Sequence, residues 1–222
     1  MSRSFSLVKL FAASAVVAIL LVIFLFFLAR PEKLSPPDAQ AQKIIDIFQE
    51  AHQNSFSEGE TMRVEVDCMD NVLRLIDEKQ PGTADDDRLL RNVVLLPSKE
   101  VKLSARPQDI ATTPTEIMPV PVAQFRESKY PLSFAHTVCT FRFMRNGTIV
   151  NEGTDAIGTN ATTIGLTLFI WSPRLTNRNA SEIARAITVI GGTGSIRLWE
   201  YQSQLDEVNK WKDSGGLIFM AD

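Results

Sequence analysis

The sequence predicts an α+β fold: a long N-terminal helix, membrane-spanning in its first half and amphipathic in its second, packed on an antiparallel β-sheet domain. Three observations predict it. An uncharged, proline-free run of 20 residues fills Leu10–Ala29. After Pro31, Pro36 and Pro37, apolar residues recur at helical spacing. The remainder alternates in about eight short stretches separated by turn residues, the pattern of half-buried strands.

At about 1.5 Å per residue, Leu10–Ala29 matches the roughly 30 Å hydrocarbon core of a bilayer. Fourteen of its residues are Leu, Ile, Val or Phe, each contributing roughly −0.3 to −0.6 kcal/mol to insertion. Lys9, at the edge of the run, can snorkel to the interface. A cleaved signal would have a shorter apolar region and small residues at its exit. Here the exit reads Phe-Phe-Leu-Ala-Arg-Pro, so an uncleaved anchor is expected. Arg3 and Lys9 before the run balance Arg30 and Lys33 after it, and charge alone sets no orientation. The division that follows is 1–4, a leader or cytoplasmic tail; 5–29, the span; 30–56, a kink and an amphipathic helix; and 57–222, a β-rich domain.

Ser35 followed by Pro36, Pro37 and Asp38 is a helix start. Ala41, Ile44, Ile45, Phe48 and His52 then fall on one face, predicting a helix over about 37–56. Thr61–Cys68 and Val72–Ile76 form a hairpin around Met69-Asp-Asn. Lys79–Asp87 is a loop, and Leu89–Leu103 is strand, turn and strand, with Pro97 arguing for an edge or a bulge. Ser104–Pro131, which holds five prolines, predicts a long surface loop. Phe134–Val150 is a hairpin turning on Arg145-Asn-Gly. Thr162–Trp171 is a strand, Ala184–Tyr201 two strands joined by Gly191-Gly-Thr-Gly, and Leu205–Lys212 a short helix or tail.

The net charge of −3 and the lack of a basic stripe exclude nucleic acid as a partner. Catalysis finds little support, and no enzyme activity, metal or cofactor is expected. His52 lies on the apolar helix face, where a core histidine is the simpler reading. His136 and Cys139 are spaced as a metal pair but lack a second pair. Asp85, Asp86 and Asp87 lack the alternating oxygen ligands of a calcium loop. Gly191-Gly-Thr-Gly lacks the lysine of a phosphate loop and reads as a turn. Cys68 and Cys139 both point inward on their strands, as buried thiols or, in an oxidising compartment, as a single disulfide.

Phe5-Ser-Leu-Val-Lys-Leu followed by an apolar helix, an amphipathic extension and a β-domain resembles the type IV pilin-like proteins. Phe141-Arg-Phe-Met-Arg-Asn-Gly-Thr and Ala186-Ile-Thr-Val-Ile-Gly-Gly-Thr-Gly-Ser-Ile-Arg-Leu resemble the endings of minor pseudopilins of the GspH/FimT kind. The resemblance implies prepilin processing between Ser4 and Phe5, methylation of the new N-terminus, and helix packing at Lys9 against other pilin-like subunits. It also implies a place in a type II secretion or type IV pilus-like assembly of the bacterial inner membrane, with a cytoplasmic N-terminus and an extracytoplasmic C-terminal domain. The start is atypical: Ser4 stands where the family has glycine, and Lys9 where it has a glutamate. A lysine there repels a neighbouring subunit's amine, which suits a terminal subunit. The alternative expectation is a single-pass anchored binding module that does not polymerise.

Overall fold

The computed structural model describes residues 16–20, 35–80, 82–104, 106–107, 110–116, 120–173, 184–202 and 210–214. The chain separates into two compact units, Met1–Leu34 and Ser35–Asp222. In the first, residues 16–20 are helical, with Val16, Val17, Ile19 and Leu20 exposed. Ser4, Phe5 and Lys9, and with them the predicted processing and helix-packing positions, lie outside the described residues.

The second unit opens with α1 (Pro36–Glu58). Ser35 is extended (φ −60°, ψ 154°), and its Oγ accepts from Asp38 N at 3.4 Å, so the helix begins here. Pro36 and Pro37 occupy first-turn positions that lack an intrahelical acceptor for N–H in any case. Gly59, at φ 68°, ends the helix in the left-handed conformation that glycine adopts without Cβ strain. The predicted stripe is buried: Ala41, Ile44, Ile45, Phe48 and His52, together with Ile47 and Ala51.

Eleven strands follow among the described residues: β1 (Thr61–Asp67), β2 (Val72–Glu78), β3 (Arg88–Val94), β4 (Lys102–Ser104), β5 (Arg126–Glu127), β6 (Thr137–Phe143), β7 (Ile149–Val150), β8 (Gly165–Trp171), β9 (Ala184–Ile190), β10 (Ser195–Tyr201) and β11 (Trp211–Asp213). They form two antiparallel sheets. The first runs β3-β2-β1-β6-β5, with β7 also paired to β6; the second runs β11-β10-β9-β8-β4. One core joins α1 to the inner faces of both, with Val64, Leu75 and Phe141 from the first sheet and Leu168, Ile187 and Ile196 from the second. Phe48 is wedged among rings, 4.6 Å from Phe141 and 5.6 Å from Phe143 between centroids. The N-terminal turn of α1 is tied to the second sheet by Arg185 Nη2, which donates to Asp38 Oδ2 at 2.9 Å.

The expected α+β fold, with a long N-terminal helix packed on one sheet, is therefore corrected. Among the described residues the second unit is mostly β, with two antiparallel sheets and α1, a helix of 23 residues. Strand alternation reports that one face is buried but not which strands share a sheet, and the extended Ser35 prevents α1 from continuing upstream. Among the described residues no helix is long and apolar enough to cross a membrane. This overturns the expected transmembrane, pilin-like inner-membrane protein with its cytoplasmic N-terminus and extracytoplasmic domain. Apart from residues 16–20, the predicted span lies outside the described residues, and α1 carries Gln42, Lys43, Asp46 and Glu50 on its polar side.

The predicted surface loop Ser104–Pro131 is also corrected. Ile110, Ala123 and Tyr130 are buried, and Val122 makes a parallel bridge to Thr167 of β8. Ile110 joins a second apolar cluster on the outer face of the second sheet with Phe169, Trp199, Tyr201 and Trp211. The Glu116 side chain is buried there too, accepting from Thr188 Oγ1 and, at 3.1 Å, from Arg197 Nη1. Proline-rich sequence forms no ladder of its own but can still cover a sheet. At the C-terminal end, part of the expected helix or tail is the strand β11.

Candidate functional site

The outer face of the first sheet carries charge where strand alternation alone places solvent. Arg63, Glu65 and Asp67 occupy the β1 positions facing away from the core, yet all three are fully buried. Arg63 Nε donates to Glu65 Oε1 at 2.9 Å, Nη1 to Glu78 Oε1 at 2.7 Å and Nη2 to Asp87 Oδ2 at 2.7 Å. Its guanidinium also lies 3.6 Å from the Tyr130 ring centroid. Arg142 of β6 grips the other side of Glu78, with Nε 2.9 Å from Oε2. Loops close over this layer. Gly158, at φ 80°, passes so near Arg142 that a Cβ there would sit 1.3 Å from Nη1. Burial pulls the Arg63 pKa down, but Glu65, Glu78 and Asp87 outweigh it and hold the guanidinium above its ordinary value. Burial also raises Asp87, with Arg63 pulling it back. One member of the Asp85–Asp87 cluster is thus a structural ion-pair partner.

Beside this layer, His136 Nδ1 lies 2.7 Å from Asp67 Oδ2 and 3.4 Å from Asp70 Oδ2. The trio has the donor types of a metal centre, but Asp67 is already neutralised. Arg74 Nη1 donates to Oδ2 at 2.9 Å, while the N–H groups of Met69 and Asp70 donate to Oδ1 at 2.9 and 3.1 Å. Burial pushes Asp67 upward, and these bonds together outweigh it and lower its pKa. The spacing of His136 and Cys139 does not bring them together, since Cys139 packs in the core. A second carboxylate group, Glu58, Glu60 and Asp77, lies where α1 ends.

Cys68 and Cys139 are free thiols. Cys68 follows β1 and is half-buried, its Sγ 3.4 Å from the Thr137 carbonyl. Cys139 is opposite Val66 in the ladder, and burial drives its thiol up to about 12, far from a reactive thiolate. It contributes to a cleft of about 310 Å³ that Arg126, Thr140, Glu152, Thr163 and Leu166 also line. His52 is buried against Phe56, with centroids 4.7 Å apart, and desolvation lowers its pKa. Gly191-Gly-Thr-Gly joins β9 to β10. Gly191 N donates to Ile164 O at 2.7 Å, and its own carbonyl accepts from Ile149 N at 2.9 Å. A Cβ on Gly191 would sit 2.1 Å from Ile149 O, so the glycine serves close backbone packing between the sheets.

The most open feature is the β3 edge. This seven-residue strand pairs with β2 alone among the described residues, and its burial pattern is largely exposed. Leu90 and Val93 pack inward, whereas Leu89 and Val94 are 44% and 66% exposed. A long edge with outward apolar side chains is a template for strand addition. Pro97 carries the sequence signal of an edge or a bulge in this stretch, but an edge strand differs from a central one only in its neighbours, which the sequence does not show. Comparison with protein-family models, curated proteins and solved structures finds no match for this chain.

Proposed function

We propose that this chain is a structural and interaction protein, a subunit of a larger assembly. The contact is made by β3, to which a partner adds an extended segment. The observation that carries the reading is the exposed seven-residue edge with Leu89 and Val94 facing outward. Main-chain hydrogen bonds would supply affinity, and pockets beside alternate side chains would supply selectivity. The buried charges of the first sheet support the reading by making β1 and β2 a stiff platform behind the edge.

A binding module that does not polymerise is the second reading, and Arg88 and Arg91 favour it. Both are exposed on β3, and an antiparallel copy of the same strand would bring like charges together. The test places a photo-crosslinking residue at position 92 of the full-length chain in its source cells. A single adduct of defined mass is expected, and Leu89→Lys with Val94→Lys should remove it while leaving the circular dichroism unchanged. No adduct, or an adduct indifferent to the double substitution, refutes the edge as the contact.

A further inference from the structure

We propose that Glu58, Glu60 and Asp77 form a binding site for a divalent cation, calcium by its chemistry, at the end of the first sheet where α1 terminates.

Asp77, the last residue but one of β2, lies opposite Met62 of β1, near the rim of the central core. It is 2% exposed, and its Oδ1 is buried without a hydrogen-bond partner. A carboxylate in that position costs free energy unless it gains a proton or a counter-charge. The neighbouring carboxylates of Glu58 and Glu60 worsen the deficit. Donor oxygens of Glu58, Glu60 and Asp77 all lie within 4.8 Å of one another. The C-terminal end of α1 carries the negative pole of its dipole, and no basic residue occupies its last turn. Two cations stand near: Lys79, whose Nζ is 3.8 Å from Asp77 Oδ2 and whose side chain is 44% exposed, and Arg88, exposed and opposite Asp77 in the β2–β3 ladder. Both reach into solvent, where charges offset little.

The Asp67–Asp70–His136 group makes the contrast. It has the same number of donors, but Arg74 and two backbone N–H groups already satisfy its buried carboxylate. At Asp77 no equivalent donor reaches Oδ1.

Three carboxylates offer only hard oxygen donors, which suit calcium or magnesium and exclude soft-metal chemistry. They come from three places: the helix end, the turn after Gly59 and the end of β2. Glu58 is exposed and free to adjust. Calcium accepts such irregular geometry and fills its remaining positions with water, whereas magnesium demands a near-ideal octahedron.

The experiment titrates calcium chloride into the full-length chain, freed of metal by a chelator, and follows heat release and thermal unfolding at pH 7.5. Sodium chloride at matched ionic strength is the control. Saturable binding with a rise in Tm is expected. Glu58→Gln, an exposed change that leaves the fold intact, should weaken binding about tenfold, because ligand charge tunes calcium affinity. Asp77→Asn should abolish it. No saturable heat at millimolar calcium, a Tm rise that sodium chloride reproduces, or an affinity unchanged in both variants overturns the site.

Discussion

Replacing Arg63 with methionine probes whether the buried charge layer holds the first sheet together. Methionine keeps a comparable length and apolar stem but removes the groups that, among the described residues, donate to Glu65 Oε1 and Asp87 Oδ2 at 2.9 and 2.7 Å. Breaking one partner of a buried pair costs about 3–5 kcal/mol, because the charge left behind has neither water nor a counter-ion. The lost cation–π contact with Tyr130, 3.6 Å away, adds about 1–2 kcal/mol when desolvated. The two terms share a side chain and do not add fully. We expect about 4 kcal/mol, close to a thousandfold in the folding equilibrium at about 1.4 kcal/mol per tenfold. That is a large part of the 5–15 kcal/mol typical of a whole domain. The assay is urea unfolding of wild type and variant at pH 7 and pH 4. Asp87 is already held above its ordinary value by burial, with Arg63 pulling it back. Without Arg63 only the upward pressure remains. A folded-state pKa raised above the unfolded one means that stability falls as pH rises, so the deficit should be largest at pH 7 and shrink toward pH 4. A loss below about 1 kcal/mol, within the range of an exposed pair, or a deficit independent of pH, refutes the account of this layer as mutually compensating buried charge.

Two further outcomes follow from single side chains. Phe48→Ala should cost about 3–5 kcal/mol in the same unfolding assay, since it empties a fully buried ring site between Phe141 and Phe143; a loss under about 1 kcal/mol would show that this face of α1 looks outward. In chelated buffer, Asp77→Asn should stabilise the protein at pH 7 by up to about 3 kcal/mol, the equivalent of roughly two pKa units, because the Asp77 carboxyl sits at about 6 against an ordinary 3.8. Its folded pKa is raised, so wild-type stability falls as pH rises from about 4 to about 7 and the advantage of asparagine vanishes below pH 4; parallel pH profiles for the two proteins would contradict this.

What the sequence by itself determined was local. Ser35 and the two prolines after it start α1, and Gly59 ends it, because capping and φ restriction act within one turn. The Met69-Asp-Asn and Arg145-Asn-Gly turns are legible for the same reason, as is the apolar stripe that Phe48 anchors. The tertiary structure decided everything that depends on residues far apart in the chain. It set eleven strands into two sheets, since alternation has the same period whichever strands are neighbours. It buried Arg63, Glu65 and Asp67, which alternation assigns to solvent, because Asp87 and Tyr130 arrive from distant loops to cover them. It folded the proline-rich stretch around Ile110 and Glu116 onto the second sheet, where Trp199 and Trp211 give it an apolar surface to cover. It left β3 at an edge, and it brought Asp77 against the end of a helix that closes 19 residues earlier. Each depends on burial and charge compensation across the chain, quantities that no window of neighbouring residues contains.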